Sequence, residues 1–368
     1  MSRGKRTLLP IGIHLNADAV HMVQLEQTDG GVEMVSKAAK RFESVPPADT
    51  VVPDIHDGRS PDQIGDARYE EARQFVRERI LANGFRGTEA VISLPAEHLV
   101  IQHVRVPPMQ PEELNAGLGP ELQGKLPFDP REAVIRHIVA GTVSENNETK
   151  QDVIVLAARR AAIEAQVAAA SRLGLRVIGV GVEPCAMCYP YMFAASHGTP
   201  PPEGPPALMI VFLGAHATHV AITRGQEMTF VKGVELGIDS LLEPIAQARG
   251  VPVAEAAAMR ARWRGAATAA PEAVETYNSV RSSLDHIVDE IESCMRYHAS
   301  LARGAHIDRL IFVGPEARDR ALVRVIGAHA GVACEVGSPI DAMTHKTGRG
   351  EPEPELAAAA GLSLFSAQ

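Results

Sequence analysis

The start of the chain contains short runs rich in apolar residues, separated by polar turns, which is a pattern typical of strands. The predicted strands are residues 8–15, 19–26 and 32–42. The first two flank a short turn at Asn16-Ala17-Asp18, and a stretch rich in Pro, Asp and Gly at 44–66 predicts a long loop. Residues 67–83 have small or apolar positions on one face and predict a helix that ends before Gly84. The chain therefore opens with a three-stranded meander followed by a helix.

The next segment mixes strand and helix patterns. The predicted strands are residues 90–94, 100–106, 133–143, 153–158 and 176–182, and the predicted helices are 111–125 and 160–173. Pro111 followed by Glu112 and Glu113 indicates a helix start, because Pro fits the first turn and acidic groups interact favourably with the amino-terminal end of the helix dipole. This pattern predicts a compact α/β subdomain at about 94–182.

A Pro-rich segment at 196–206 predicts an extended linker. We therefore place one domain at 7–195, which includes the inserted subdomain, and a second at 207–368. The predicted strands of the second domain are residues 210–213, 218–222, 227–234, 309–313 and 332–336. Its predicted helices are residues 238–249, 253–264, a long amphipathic helix at 280–301, one after 313, and 355–365. Both halves thus begin with three strands and a helix, which is a coarse internal repeat.

Composition narrows the class of protein. The chain has 368 residues, 45% of them hydrophobic, enough for two globular domains. Its net charge of −9 argues against a surface made for nucleic acid, which needs clustered basic residues. We find no apolar stretch long enough to cross a bilayer and expect a cytoplasmic protein. The four cysteines do not predict a disulfide framework, and Cys185 and Cys188 fit a buried pair at a helix start.

The run from Ile210 to Ile222 has the pattern of a strand, a turn containing Gly214, and a second strand. This layout resembles a phosphate-binding β-hairpin of the actin-like ATPase superfamily. The resemblance implies an Asp at the position of Phe212, because a carboxylate there holds Mg²⁺ and its waters. A phenyl ring cannot replace that carboxylate, so the hairpin predicts an actin-like fold with degenerate chemistry.

Further motifs follow one another along both halves. In the first half they are Gly12–Val20, Val104–Met109, Pro111–Leu114, Leu126–Phe128 and Val182–Met187. In the second half they are Gly214 with Thr218, Phe230–Gly233, Gly237, Ala254–Glu255, Asp289–Tyr297 and Phe312–Glu316. This ordered set resembles the PilM family, the actin-like cytoplasmic component of the type IV pilus inner-membrane platform, and its type II secretion relatives. The resemblance implies a two-lobed α/β actin-like ATPase (ribonuclease H-like) fold with an inserted small α/β subdomain.

Departures from the family pattern fall on ATP chemistry. His14 and Phe212 stand at the two carboxylate positions. The other departures are Asn16 for Gly, Ala17 for a hydroxyl residue, His21 for a frequent Lys, and Pro315 for the second glycine of the adenosine loop. We therefore expect no ATP hydrolysis, no catalytic or metal-ligating residue and no cofactor, with ATP and Mg²⁺ as the alternative.

The resemblance also assigns positions to a vestigial nucleotide cleft and to a partner. The cleft residues are Asn16, Ala17, Gly214, Thr218, Gly237 and Gly314. The implied function is a scaffold that binds the short cytoplasmic amino-terminal peptide of a PilN-like single-pass inner-membrane protein, with the pilus motor ATPase as a further partner. We predict neither nucleic-acid binding nor direct membrane insertion, and expect association with the inner membrane through the protein partner. The residues predicted for the peptide groove are Val104, Val106, Pro107, Leu126 and Phe128.

Two other functions stay open. An active actin-like ATPase or small-molecule kinase needs an acid in the cleft, and the sequence offers none there. An FtsA-like cell-division protein needs a carboxy-terminal amphipathic membrane helix, which residues 362–368 do not resemble. A metal site is a further interpretation of the histidines in the two phosphate loops, which are His14, His21, His216 and His219. We favour surface or hydrogen-bonded core histidines, because the sequence shows no nearby carboxylate to orient an imidazole.

Overall fold

The structure, a computed structural model, describes residues 6–16, 19–42, 67–82, 84–145, 148–198, 202, 204–301, 306–344 and 351–367. The predicted loop at 44–66 and Ala17 of the first turn lie outside these residues. The chain forms two compact units: unit 1 is Met1–Glu183 with Leu362–Gln368, and unit 2 is Pro184–Gly361. The Pro-rich segment 196–206 belongs to unit 2 in this division, and the predicted domain boundaries stay a prediction.

Unit 1 contains eight strands and three helices among the described residues. The strands are β1 (Thr7–Leu15), β2 (Ala19–Thr28), β3 (Gly31–Arg41), β4 (Glu89–Leu94), β5 (Val100–Val106), β6 (Ala133–Glu145), β7 (Glu148–Arg159) and β8 (Arg176–Val182). The helices are α1 (Ala67–Leu81), α2 (Pro111–Glu121) and α3 (Arg160–Ser171). The larger sheet has the order β3-β2-β1-β4-β8, in which β1 to β3 are antiparallel and β4 and β8 run parallel to β1.

The core of this larger sheet forms where apolar side chains of β1, β2 and β4 meet α1. Ile11, Met22 and Phe75 are among its buried members. Helix α3 packs on β8 and β4, and it belongs to the crossover connection between these two parallel strands. The predicted α/β subdomain corresponds to the segment between β4 and α3, which we call the insert (residues 95–159). Strand β8, which the sequence interpretation counted with the insert, belongs to the larger sheet.

The insert is a three-stranded antiparallel sheet of order β5-β7-β6 with α2 packed against it. Helix α2 begins at Pro111 as predicted, but it ends at Glu121 rather than near residue 125. The earlier end coincides with Pro120 in the last turn and with Gly124, whose φ of +76° leaves the helical region. Strand β7 begins at Glu148, five residues before the predicted start, because it pairs with β6 along its whole length.

The carboxy-terminal residues return to unit 1. The Ser363 hydroxyl donates to the carbonyl oxygen of Pro10 at 2.7 Å and accepts the Leu25 amide at 3.2 Å, at an irregular point of the β1–β2 pairing. Gly179 and Gly181 of β8 make room for this segment: a Cβ at Gly179 would lie 2.9 Å from the Phe365 ring. These glycines therefore serve packing and do not form a nucleotide-binding loop.

Unit 2 contains the other five strands. They are β9 (Ala207–Leu213), β10 (Thr218–Arg224), β11 (Glu227–Val234), β12 (Arg309–Val313) and β13 (Cys334–Val336). Their order, β11-β10-β9-β12-β13, repeats that of the larger sheet of unit 1, again with three antiparallel and two parallel members. The predicted repeat of three strands and a helix is thus a repeat of the whole sheet.

Helices cover the sheet of unit 2. They are α4 (Glu183–Ala186, which starts in unit 1), α5 (Tyr189–His197), α6 (Leu242–Arg249), α7 (Val253–Arg264), α8 (Pro271–Ser279), α9 (Arg281–Leu301), α10 (Arg320–Ala330), α11 (Pro339–Thr344) and α12 (Ala357–Ser363, which ends in unit 1). The predicted helix at 238–249 begins as a 3-10 turn over Ile238–Leu241. The sequence pattern does not predict α8, because its buried face includes the polar residues Thr276 and Tyr277 and so lacks a clear apolar stripe. Cys185 in α4 and Cys188 immediately before α5 are both buried, as predicted.

Candidate functional site

The turn between β1 and β2, at the predicted first phosphate loop, is closed by its own residues. The Asn16 side chain accepts the Ala19 amide at 2.9 Å, and the Asn16 amide donates to the Ala19 carbonyl at 3.1 Å. Asn16 therefore stabilises the turn as an Asx-type cap. Ala17, the other predicted residue of this loop, lies outside the described residues.

His14 lies at the end of β1, where the family pattern has a carboxylate. Its side chain is buried, and its Nε2 lies 2.6 Å from Oε2 of Glu183, which is also buried. The expectation that no carboxylate lies near these histidines is therefore wrong. Glu183 follows β8 directly, and β8 ends at the same edge of the sheet as β1 because parallel strands share their carboxyl ends. The two side chains therefore form a buried pair at the carboxyl end of the sheet.

His21 of β2 stands opposite His14 in the antiparallel register, and their rings stack with centroids 5.8 Å apart. Burial, followed by the neighbouring His14, lowers the pKa of His21 from 6.5 to about 3. His21 is therefore neutral over the physiological range. The prediction of core histidines in this loop is confirmed for His14 and His21. In the part of the chain that the structure describes, no three metal-ligating side chains cluster.

The β9–β10 hairpin forms the predicted second phosphate loop of unit 2. The Gly214 amide donates to the Ala217 carbonyl at 3.0 Å, and the Thr218 hydroxyl donates to the Leu236 carbonyl at 2.7 Å. Gly237 lies directly against this turn, since a Cβ there would overlap the backbone of Ala215. The structure thus brings Gly214, Thr218 and Gly237 together, as the resemblance implies.

Phe212 fills the space beside this hairpin. Its side chain is buried, and a Cβ placed on Gly214 would lie 3.1 Å from its ring. A Cβ on Gly314, the predicted adenosine-loop glycine, would lie 3.0 Å from the same ring, and Gly314 has a φ of +91°. Both glycines are therefore required for close packing around the phenyl ring. An apolar ring stands where a magnesium-binding carboxylate is expected.

The predicted peptide-groove residues lie mostly inside the insert. Val104, Val106, Leu126 and Phe128 belong to its hydrophobic core, and only Pro107 of the five is exposed. Alternation along β5 turns these valines toward α2, which covers them. In the structure these four side chains therefore hold the insert together and do not line an open groove.

An apolar pocket lies instead between α1 and α3, on the larger sheet of unit 1. It has an empty volume of about 520 Å³, part of it open to solvent. Helix α1 contributes Ala72 and Val76, α3 contributes Ala169 and Ala170, and Arg73 and Gln166 are polar groups in its wall. The buried Nε of Arg73 has no hydrogen-bond partner among the described residues. The lining of the pocket can therefore take an apolar group.

The sequence did not indicate the pairing of two acidic residues, Glu183 and Glu316. Glu183 stood in a quoted motif, but its pairing with His14 joins positions 169 residues apart. Glu316 of the predicted adenosine loop is fully buried in unit 2 and pairs with Arg260 and Arg264 of α7. The sequence signal was the spacing of the two arginines, one helical turn apart on the same face of α7.

Two sheets of the same strand order, each with a hairpin loop and one with an inserted α/β subdomain, define the actin-like ATPase fold. The chain matches the family described as Type IV pilus assembly protein PilM over residues 12–366, and it belongs to that family. Among solved structures it is similar to the "PilM-PilN type IV pilus biogenesis complex", with 21% identity, 98% of each chain covered and a TM-score of 0.72.

A second similar structure is the ethanolamine utilization protein EutJ from Carboxydothermus hydrogenoformans. It shares 17% identity over 99% of this chain and 92% of that one, with a TM-score of 0.54. The predicted fold class and family are thus confirmed. Within the described residues, none of the helices has the length and apolar character needed to span a bilayer.

Proposed function

We propose that this protein is a cytoplasmic scaffold of a type IV pilus or type II secretion inner-membrane platform. In this function it binds the short cytoplasmic peptide of a PilN-like membrane protein, which holds it at the inner membrane, and it contacts the pilus motor ATPase. The observation that carries the proposal is the family match over residues 12–366, supported by the fold shared with the PilM-PilN complex.

The proposed scaffold does not hydrolyse ATP. The buried His14–Glu183 pair in unit 1 and the buried Phe212 ring in unit 2 support this part of the proposal, because each occupies the position of an expected carboxylate. An active ATPase or small-molecule kinase is the alternative function. The buried ring gives that alternative no metal-binding oxygen at Phe212.

We place the peptide contact at the pocket between α1 and α3. Its apolar walls can bury a Leu- or Ile-sized side chain of an extended peptide. The pocket replaces the core residues of the insert as the predicted contact. Hydrophobic side chains spaced along the partner's peptide are the chemistry that it would select.

Filling the pocket tests this contact. Ala169 is half-buried in the pocket wall, whereas Ala168 is exposed on the same helix and does not line the pocket. Ala169→Trp is expected to weaken binding of the partner's cytoplasmic peptide more than ten-fold, about 1.4 kcal/mol, in a calorimetric titration. Ala168→Trp is the matched control and should bind like the unchanged protein.

Thermal melting of both variants verifies folding. Equal affinity of the two variants, with normal melting, would exclude the pocket. No binding by the unchanged protein would instead reject the scaffold function itself.

A further inference from the structure

Unit 2 contains a buried ion cluster centred on Glu316, two residues after Gly314. The Glu316 carboxylate has no exposed surface, and each of its oxygens faces a different guanidinium of α7. Arg260 approaches Oε2, and Nη1 of Arg264 lies 2.5 Å from Oε1. Two arginines thus hold one carboxylate from two sides.

Arg260 also holds a second loop. Its Nη1 donates to Oδ1 of Asp239 at 3.1 Å, and its side chain is only 3% exposed. The Asp239 amide in turn donates to the Ala215 carbonyl in the β9–β10 turn at 2.9 Å. Through Asp239, the arginine therefore links the turn of the hairpin to the loop after β12. Gly214 and Gly314 of these two loops both pack against the Phe212 ring.

This arrangement has the form of an occupied anion site. Guanidinium groups bind carboxylates and phosphates through charge-assisted hydrogen bonds, and here two of them face the same carboxylate. Burying Arg260 without an anion would cost several kcal/mol, since an unpaired charge is poorly solvated in the interior. In this chain the anion comes from the protein itself, through Glu316.

We infer that Glu316 is an internal anionic ligand of a two-arginine site in unit 2. The Glu316 carboxylate holds the loop after β12 against helix α7 without the need for a bound nucleotide. When its carboxylate is removed, the site accepts a small carboxylate from solution.

Chemical rescue tests this inference. Glu316→Ala removes a fragment with the size and charge of acetate and should lower the melting temperature by about 10 °C, because a buried charge pair is broken. Acetate at ten times its dissociation constant should then raise the melting temperature of this variant by about 4 °C. Acetamide, which has the same shape without the charge, and chloride at equal ionic strength should not.

Two controls separate a ligand site from a merely stabilising contact. Glu355→Ala removes another buried carboxylate, but its partner Arg318 is a single guanidinium with 43% of its side chain exposed, so acetate should leave this variant unchanged. Glu316→Gln fills the site with a neutral group of the same shape, so it should lose stability and show no rescue.

If Glu316→Ala does not accumulate as folded protein, its refolding yield from urea in acetate against chloride gives the same comparison. Equal responses to acetate, acetamide and chloride would overturn the inference. An equal acetate response of the unchanged protein would overturn it as well.

Discussion

At the scale of single residues, unit 1 has an imidazole at the first expected carboxylate position, and this imidazole faces the carboxylate of Glu183. His14 and Glu183 are both buried and lie within hydrogen-bonding distance. Each side chain therefore gives the other a hydrogen-bond partner, and without one its burial would cost free energy. His21 stacks on His14 and stays neutral. The end of β1 is thus joined to the residue after β8 by a buried internal pair.

His21 makes a specific contribution to acid sensitivity. Its pKa is about 3 in the folded protein against an ordinary value of 6.5, so between these pH values the unfolded chain binds a proton that the folded protein does not. Stability therefore falls as the pH drops below about 6.5, by up to about 1.4 kcal/mol per pH unit from this group. His21→Gln should remove that contribution, measured by urea unfolding between pH 7.5 and pH 5.

The comparison needs a histidine that is not buried. His306 is 85% exposed, so His306→Gln should leave the slope of stability against pH as in the unchanged protein. Identical slopes for His21→Gln and the unchanged protein would contradict a buried neutral imidazole at this position.

At the scale of elements, the insert depends on one small core between its sheet and α2. Phe128 packs in that core, and the Arg159 guanidinium lies 5.0 Å from the centre of its ring. Val106 stands on the core face of β5, next to the exposed Pro107. These residues therefore position the insert and do not offer a docking surface.

Substitution of these core residues should unfold the insert. Phe128→Ala is expected to cost about 3–5 kcal/mol through lost burial and the cavity that remains. Val106→Asp should cost more, because it also buries an unpaired charge. Thermal melting and limited proteolysis measure both effects. Asn115→Ala, on the exposed face of α2, is the control and should melt normally. Normal melting of Val106→Asp would show that β5 does not pack as described.

At the scale of the whole molecule, the strand order occurs twice, while neither of the two expected carboxylate positions carries an acidic residue. Unit 1 presents His14 with Glu183, and unit 2 presents the buried Phe212. The fold of an ATPase is therefore kept by internal packing in each unit.

Purified protein should release phosphate from ATP no faster than a buffer control, with Mg²⁺ present. Loss of one acid or base group alone typically slows a reaction by about 10² to 10⁴, and here both carboxylate positions have changed. A steady-state phosphate-release assay measures this. Turnover that falls with Thr218→Val, a change of one hydroxyl in the hairpin loop, would contradict the proposed loss of hydrolysis.

The sequence by itself determined the kind and order of most elements, because strand and helix periodicities are local properties of the chain. Its motif order also indicated the family, and Phe212 signalled the altered chemistry before any contact was known. Element ends were less well determined, as at α2 and β7, where turn geometry and strand pairing set the limits.

Only the tertiary structure decided which side chains meet. His14 and Glu183 are 169 residues apart, and Ser363 bonds to Pro10 across 353 residues. The alternation along β5 indicated that Val104 and Val106 share a face of the strand, but it did not indicate that α2 covers that face. Periodicity fixes which face a residue occupies, whereas the partner of that face depends on how distant segments pack, and no local pattern in the chain encodes that.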